Sequence, residues 1–281
     1  MNSRTGAERG YGGLGAALLR ALAEKGQSTF TTADARQASH AAGGADSYLP
    51  VLLHRLERAG WLRRLKHGTY AMTTGLPGFP EAHPFALGMA LVEPCAVSGW
   101  AALNHHGLTE QIPRVITLTT PKRVVTPSMR GAAHGAPSTW DVACQRFEIV
   151  TVVPAHFFGD EEVWMGDSRV RVFDRERALL DCFALPRRFG GLAEGLGILE
   201  EHLRELDIER LVAHARRYSK VVAKRVGHAL ENAGAAAKLI EPLRLLPMIG
   251  YRPLDPTRPL IGERNRRWGL VDNLGGSRKR S

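Results

Sequence analysis

The apolar positions of the chain are most sharply patterned between Ala45 and Met72, ADSYLPVLLHRLERAGWLRRLKHGTYAM. Leu49, Leu52, Leu53 and Leu56 recur at three- and four-residue spacing, so a helix would carry them on one buried face. Ser47, Tyr48, His54, Arg55 and Arg58 fall off that face. Asp46 or Ser47 is expected to cap the helix start, because either side-chain oxygen can accept from free first-turn N–H groups. Gly60 is placed to end it. Leu62 to Lys66 and Thr69 to Met72 then read as two strands of a tight ribbon turning at His67-Gly68. Leu62, Leu65, Tyr70 and Met72 provide its apolar contacts, and Arg63, Arg64, Lys66 and His67 its basic ones. A helix presenting short polar and basic side chains beside a basic hairpin suits a winged helix-turn-helix. Its helix fits a DNA major groove and its wing lies along the phosphates.

The elements upstream complete such a module. Leu14, Leu18, Leu19, Leu22 and Ala23 predict a first helix stopping at Gly26. Phe30 and Thr31 lead into a short second helix, Ala33 to Ala38, with Thr32 as its expected N-cap. His40 to Ala45, with Gly43-Gly44, forms the turn before the third helix, longer than the usual three- to four-residue connection. The reading is a flexible N-terminus at 1–13, a winged helix-turn-helix at 14–75, a linker at 76–82 marked by Pro77 and Pro80, and a larger C-terminal domain at 83–281.

The C-terminal domain alternates helix and strand signals. Phe85 to Val92 reads as a helix ended by Pro94. Ala96 to Leu108 reads as a strand end, a Ser98 cap and a helix closed by Gly107. Val115 to Thr119 is a β run by its branched residues, and 121–141 reads as a flexible loop. Strands follow at Arg146–Val153, Val163–Met165 and Val170–Phe173, the last two joined by a Gly166-Asp167 turn. Asp174 is expected to cap a helix from Arg175 to Ala184. Three more helices are expected, one starting after Gly190-Gly191 and running to about Leu203, and two at roughly Ile208–Tyr218 and Val221–Ala233. The end is punctuated by prolines, with a possible last strand at Trp268–Val271 and a basic tail, Arg278-Lys279-Arg280. The fold class is α+β.

Charge sharpens this picture. The chain has 281 residues, a formal net charge of +10 and a pI near 10.0, which favour a polyanionic partner without choosing nucleic acid over a membrane surface. The excess is uneven. Residues 1–75 hold ten basic against five acidic side chains, and 262–281 six against two, while the long middle carries a net charge of only +1. Cys95, Cys144 and Cys182 are far apart with no CxxC, which argues for a reducing compartment and against a disulfide framework or zinc knuckle. No apolar run approaches the roughly 18 residues of a membrane span, and the polar N-terminus has no signal-peptide core. A cytoplasmic bacterial protein with no membrane association is expected.

His83-Pro84 with AVSGWAALNHHGL (Ala96 to Leu108), RERALLDCFALPRRFGG (Arg175 to Gly191) and the closing RRWGLVDN (Arg266 to Asn273) resemble the AbiEi family, antitoxins of bacterial type IV toxin–antitoxin, or abortive infection, systems used in phage defence. The resemblance runs in order along nearly the whole chain. It implies an antitoxin whose winged helix represses its own operon by binding inverted repeats near the promoter. It also implies that the C-terminal domain counters a nucleotidyltransferase-like toxin. The long Gly-rich connection before the third helix and the Gly-rich N-terminus depart from the family pattern.

Candidate site residues divide accordingly. Arg55, Arg58, Arg63, Arg64, Lys66 and His67 are candidates for DNA contact, and as a bland alternative would form a solvated charged face. Phosphate contacts should dominate affinity, each neutralised phosphate adding about 0.9 to the slope of log K against log salt. Ser47, Tyr48 and His54 are candidates for base edges, and Arg55 can serve either role. Arg175, Arg177 and Asp181, with Arg187 and Arg188, are candidates for an antitoxin surface. The bland reading, an Arg177–Asp181 ion pair four residues apart that fixes this helix, is the favoured one for that pair.

No enzyme is expected. A Ser98/His106/Asp181 triad has no GxSxG elbow behind it, and Cys182 with His105 or His202 lacks metal-ligand spacing. Gly166-Asp167-Ser168 is the nearest match to a nucleotidyltransferase turn, but no paired carboxylates follow it. There is no P-loop and no dinucleotide fingerprint, so no cofactor and no metal are expected. The alternative reading is a transcription factor whose second domain binds a ligand or partner and has no toxin.

Overall fold

A computed structural model describes residues 13–73, 82–130 and 138–274. Of the expected segments, the N-terminus up to residue 12, the linker up to Glu81, residues 131–137 of the expected loop and the basic tail at 278–280 lie outside them.

The elements run α1 (Gly13–Glu24), β1 (Thr29–Thr31), α2 (Thr32–Ala41), α3 (Leu49–Arg58), β2 (Leu62–Lys66), β3 (Thr69–Met72), α4 (Pro84–Leu91), β4 (Ala96–Ser98), α5 (Gly99–His105) and β5 (Val115–Thr120). Then come β6 (Thr139–Val142), β7 (Gln145–Thr151), β8 (Asp160–Met165), β9 (Ser168–Phe173), α6 (Arg175–Ala184), α7 (Leu192–His202), α8 (Ile208–Tyr218), α9 (Lys220–Asn232), α10 (Ala237–Arg244), β10 (Arg252–Pro253), β11 (Glu263–Asn265) and β12 (Leu270–Asp272). Helices and sheets are both extensive and the class is α+β. The sheets have the orders β1-β3-β2, β6-β7-β5-β4-β9-β8 and β10-β12-β11. By compactness the chain divides into one unit of 1–96, 122–149 and 162–171 and a second of 97–121, 150–161 and 172–281.

In the first unit, the core of the N-terminal module is made by the expected stripes. Leu18, Leu19 and Leu22 of α1 meet Phe30, Ala35 and Ala38, the four leucines of α3, and Leu62 and Met72 of the hairpin. At the end of α3, Gly60 takes φ +79°, and its N–H reaches the Glu57 carbonyl while that of Trp61 reaches Leu56. This six-to-one and five-to-two pairing satisfies carbonyls the helix would otherwise leave open, and only glycine enters the left-handed region cheaply.

Four expectations in this module need correction. Thr31, not Thr32, caps α2: its hydroxyl accepts from Asp34 N–H at 3.2 Å, and the Asp34 carboxylate accepts from Thr31 N–H at 2.7 Å. Thr31 also ends a strand, β1, that pairs antiparallel with β3 in the register Thr29–Ala71, Phe30–Tyr70, Thr31–Thr69. α2 extends to Ala41, so the connection to α3 spans 42–48. Neither Asp46 nor Ser47 caps α3; the N-cap position is Tyr48, it makes no side-chain cap bond, and Pro50 occupies the first turn. Proline has no N–H to satisfy there.

In the second unit, Asp174 caps α6 as expected, accepting from Arg177 N–H at 2.7 Å. Ser98 holds the N-cap position of α5, but its hydroxyl bonds the Thr119 hydroxyl at 2.8 Å instead of a helix N–H. α10 was not expected: it forms with Pro242 inside it and buries Ile240 and Leu243. Trp268 precedes the last strand instead of beginning it, and is fully buried. In the first unit, the loop expected over 121–141 gives way to β6 from Thr139.

Candidate nucleic-acid interface

The leucine stripe of α3 is buried and the rest of the helix is not. Ser47, Tyr48, His54, Arg55 and Arg58 are all exposed, so the polar row faces away from the core in one continuous strip. Within it, the Arg55 guanidinium donates to the Tyr48 hydroxyl at 2.9 Å, with its carbon 5.8 Å from the ring centre. That bridge spans two turns of helix and holds both long side chains along the open face.

The wing adds the second half of the strip. β2 and β3 pair from Leu62–Met72 to Lys66–Thr69, with a register shift between Arg64 and Lys66. An extra residue on one strand changes its inside–outside parity. Leu62 and Leu65 are therefore both buried while Arg63 and Arg64, between them, are both exposed. At the tip, Gly68 takes φ +70°, and Arg64 is steadied by the Lys66 carbonyl at 3.4 Å and the His67 ring at 3.0 Å. His67 is exposed. Arg63 points its guanidinium to the Cys144 sulfur at 3.9 Å.

Lys66 does not belong to that open row. It is half-buried, and its ammonium donates to the carbonyl of Leu91, the last residue of α4, at 2.9 Å. Burial lowers its pKa, against the pull of nearby Glu93. A cation closing a helix C-terminus meets carbonyls left unpaired there, so the charge of Lys66 is already committed inside the unit.

Sequence reasoning missed three contributors. Asp46 accepts from His40 at 2.8 Å and lies 3.2 Å from Arg36, tying the end of α2 to the turn that launches α3. Arg36 is thereby a further exposed cation beside the helix start. Val51 is 44 % exposed in the middle of the polar strip, where its apolar side chain has no core to fill. The signal for Val51 was present in the heptad-like spacing, since it lies opposite Leu49, Leu53 and Leu56.

The C-terminal set does not come together as a surface. Arg187 and Arg188 are exposed on a short 3-10 turn. Arg175 is half-buried and reaches the carbonyls of Glu205 and His106 at 3.3 and 3.4 Å. Arg177 and Asp181 are only 1 % and 3 % exposed, so neither can belong to a contact surface. They pair with each other, and the guanidinium carbon of Arg177 lies 4.2 Å from the Phe173 ring centre, 5.1 Å from Phe158 and 5.4 Å from Tyr218. Burial raises the Asp181 carboxyl, opposed by the Arg177 charge. The ion pair is a core element because a charge on an otherwise apolar helix face must carry its partner with it.

Ser98, His106 and Asp181 each have separate partners: Ser98 the Thr119 hydroxyl, His106 the Phe173 carbonyl at 2.7 Å, and Asp181 the Arg177 guanidinium. Among the described residues, no group of three or more His, Cys, Asp or Glu is placed to hold a metal, and no helix is long and apolar enough to cross a membrane.

Residues 17–73 match the model of a family described as "Transcriptional regulator, AbiEi antitoxin", which bears out the resemblance over the N-terminal module, ahead of the segments from His83 onward in which it was read. The matched segment is the leucine-cored module and its wing. The chain is also similar in fold to the crystal structure of the RV2827C protein from Mycobacterium tuberculosis, with a TM-score of 0.63 and 17 % identity over 93 % of this chain and 92 % of that one. No curated protein matches the chain.

Proposed function

We propose that this chain, whose residues 17–73 match the model of the AbiEi transcriptional-regulator family, is an antitoxin and autorepressor that acts by binding and not by catalysis. Its winged helix, at 14–75, grips operator DNA at inverted repeats near its own promoter. Beyond a linker at 76–82, the domain at 83–281 neutralises a nucleotidyltransferase-like toxin, in the cytoplasm. The observation that carries the DNA-binding half is the open strip formed by Ser47 and Tyr48 just ahead of α3 and by His54, Arg55 and Arg58 on it, opposite a buried leucine face. A helix of that kind fits a groove about 12 Å wide. Exposed Arg63 and Arg64, with His67, lie on the wing, where phosphates would run. For the antitoxin half, exposed Arg187 and Arg188 are the candidates left on the surface, with Arg175 at its edge.

The test is a gel shift with the promoter-proximal DNA of the chain's own reading frame. Wild-type protein is expected to retard it, with affinity falling as salt rises. Arg55→Ala with Arg63→Ala is expected to weaken binding and to lower the salt slope by about 0.9 for each lost phosphate contact. Rescue of cells from the co-expressed toxin should survive in that variant. Undiminished DNA binding by the double variant would overturn the assignment of the interface. Failure of the wild-type chain to rescue would overturn the antitoxin half.

A further inference from the structure

We infer that Val51 reads the C5 methyl group of a thymine in the major groove, and so sets part of the sequence preference of the winged helix; the inference rests on the DNA-binding reading above. Tyr48, Val51 and Arg55 follow one another at three- and four-residue spacing, so they share one stripe of α3. The stripe is the open one: Val51 is 44 % and Tyr48 37 % exposed, and Arg55 is exposed beside them. The Arg55–Tyr48 bridge runs along this stripe from one side of Val51 to the other. The valine therefore sits between two fixed neighbours and not at a free edge.

The chemistry of the groove selects its target. Each base pair presents donors and acceptors on its major-groove edge, but only thymine presents a methyl group among the unmodified bases. A branched apolar side chain cannot satisfy a donor or an acceptor, and over one it would leave that group unpaired. Over a methyl it removes apolar surface from water on both partners. The cations on the same open face, Arg55 and Arg58, suit a polyanion better than the apolar partner protein that an exposed valine would otherwise suggest. The spacing limits where the thymine lies. Val51 and Arg55 are four residues apart, about 6 Å along the helix axis, and base pairs rise about 3.4 Å. The two backbone positions are thus about two base-pair steps apart, with the Arg55 guanidinium turned back toward Tyr48 and so toward Val51.

The experiment uses the full-length chain and duplexes selected by it from a randomised library. The tightest duplex is then remade with each thymine in turn replaced by deoxyuridine, which deletes the methyl and leaves pairing unchanged. At one thymine per bound head, replacement is expected to weaken binding about four-fold, the worth of one buried methyl group. Val51→Ser should bind the thymine duplex more weakly by a similar factor and lose the thymine-to-uridine ratio, while Val51→Thr, which keeps a methyl, should retain it. If no replacement affects the wild type, or if Val51→Ser keeps the full ratio, the inference falls while DNA binding stands. If selection yields no bound duplex at all, the DNA-binding reading falls, and this inference with it.

Discussion

The Arg177 guanidinium donates to the Asp181 carboxylate one turn further along α6, with both side chains sealed from solvent. Three aromatic rings, Phe158, Phe173 and Tyr218, surround the guanidinium, and its second amino group reaches the His156 carbonyl at 3.1 Å. Removing one partner would strand the other charge in an apolar setting. Arg177→Met is expected to cost about 3–5 kcal/mol, whereas Arg177→Met with Asp181→Leu should recover most of it, since a matched apolar pair needs no desolvated ions. Urea denaturation of the three proteins measures both. A single variant as stable as wild type would mean that the pair is not buried in solution.

Gly227 lies against the indole of Trp268, so closely that a Cβ there would overlap the ring. Trp268 is fully buried, and its ring nitrogen donates to Glu231 at 2.6 Å, which keeps the ring from retreating. Gly227→Ala is therefore expected to destabilise the second unit by about 1–3 kcal/mol, although alanine is the better helix former. A thermal melt showing an unchanged or raised midpoint would contradict this packing.

Acid should weaken the fold before the carboxylates titrate. Burial lowers the pKa of His228, whose ring faces Asn232 and Asn265 with Asp272 and Glu231 nearby. Burial also lowers that of His83, whose Nδ1 accepts from Phe85 N–H at 3.1 Å to cap α4. In both cases the unfolded chain takes up the proton first. Their stabilisation is complete above the ordinary histidine value of about 6.5 and is lost as pH falls below it. Urea midpoints at pH 7.5 and 5.5 should drop accordingly, and the drop should shrink in His228→Gln. A midpoint that rises on acidification reverses the sign and refutes the account.

The three thiols should separate cleanly. Burial pushes Cys95 up to about 12 and Cys182 well above its ordinary value, whereas Cys144 is exposed at the β6–β7 turn. A thiol reagent at pH 8 is expected to modify Cys144 quickly and the other two only on unfolding, because the thiolate is the reactive form. Rapid release equivalent to three thiols from the native chain would show that the core is open.

What the sequence disclosed was local. The leucines of α3, Gly60 and the hairpin from Leu62 to Met72 are specified by spacing and by one glycine conformation, and they stand where those rules put them. What it hid depended on distant partners. Thr29–Thr31 is too short to announce a strand and becomes one only because Ala71 to Thr69 pairs with it. Lys66 reads like Arg63 and Arg64 until the end of α4 arrives at its ammonium. Asp46 has the chemistry of a cap, but Arg36 and His40 lie within reach and claim its carboxylate. The Arg177–Asp181 pair is legible from its four-residue spacing, but its burial is not, because its aromatic enclosure comes from residues 158, 173 and 218.

The pairing of β1 with β3 reaches beyond the small sheet itself. The wing is the outer part of a three-stranded sheet whose first strand runs directly into α2 through Thr31. Its position relative to α2 is consequently held by main-chain bonds. On the DNA-binding reading proposed above, exchanging arginines or Val51 would retune which letters are favoured, while the stride between groove and phosphate track would keep its length. On this basis the head behaves as a rigid caliper whose jaws can be resurfaced without being reset.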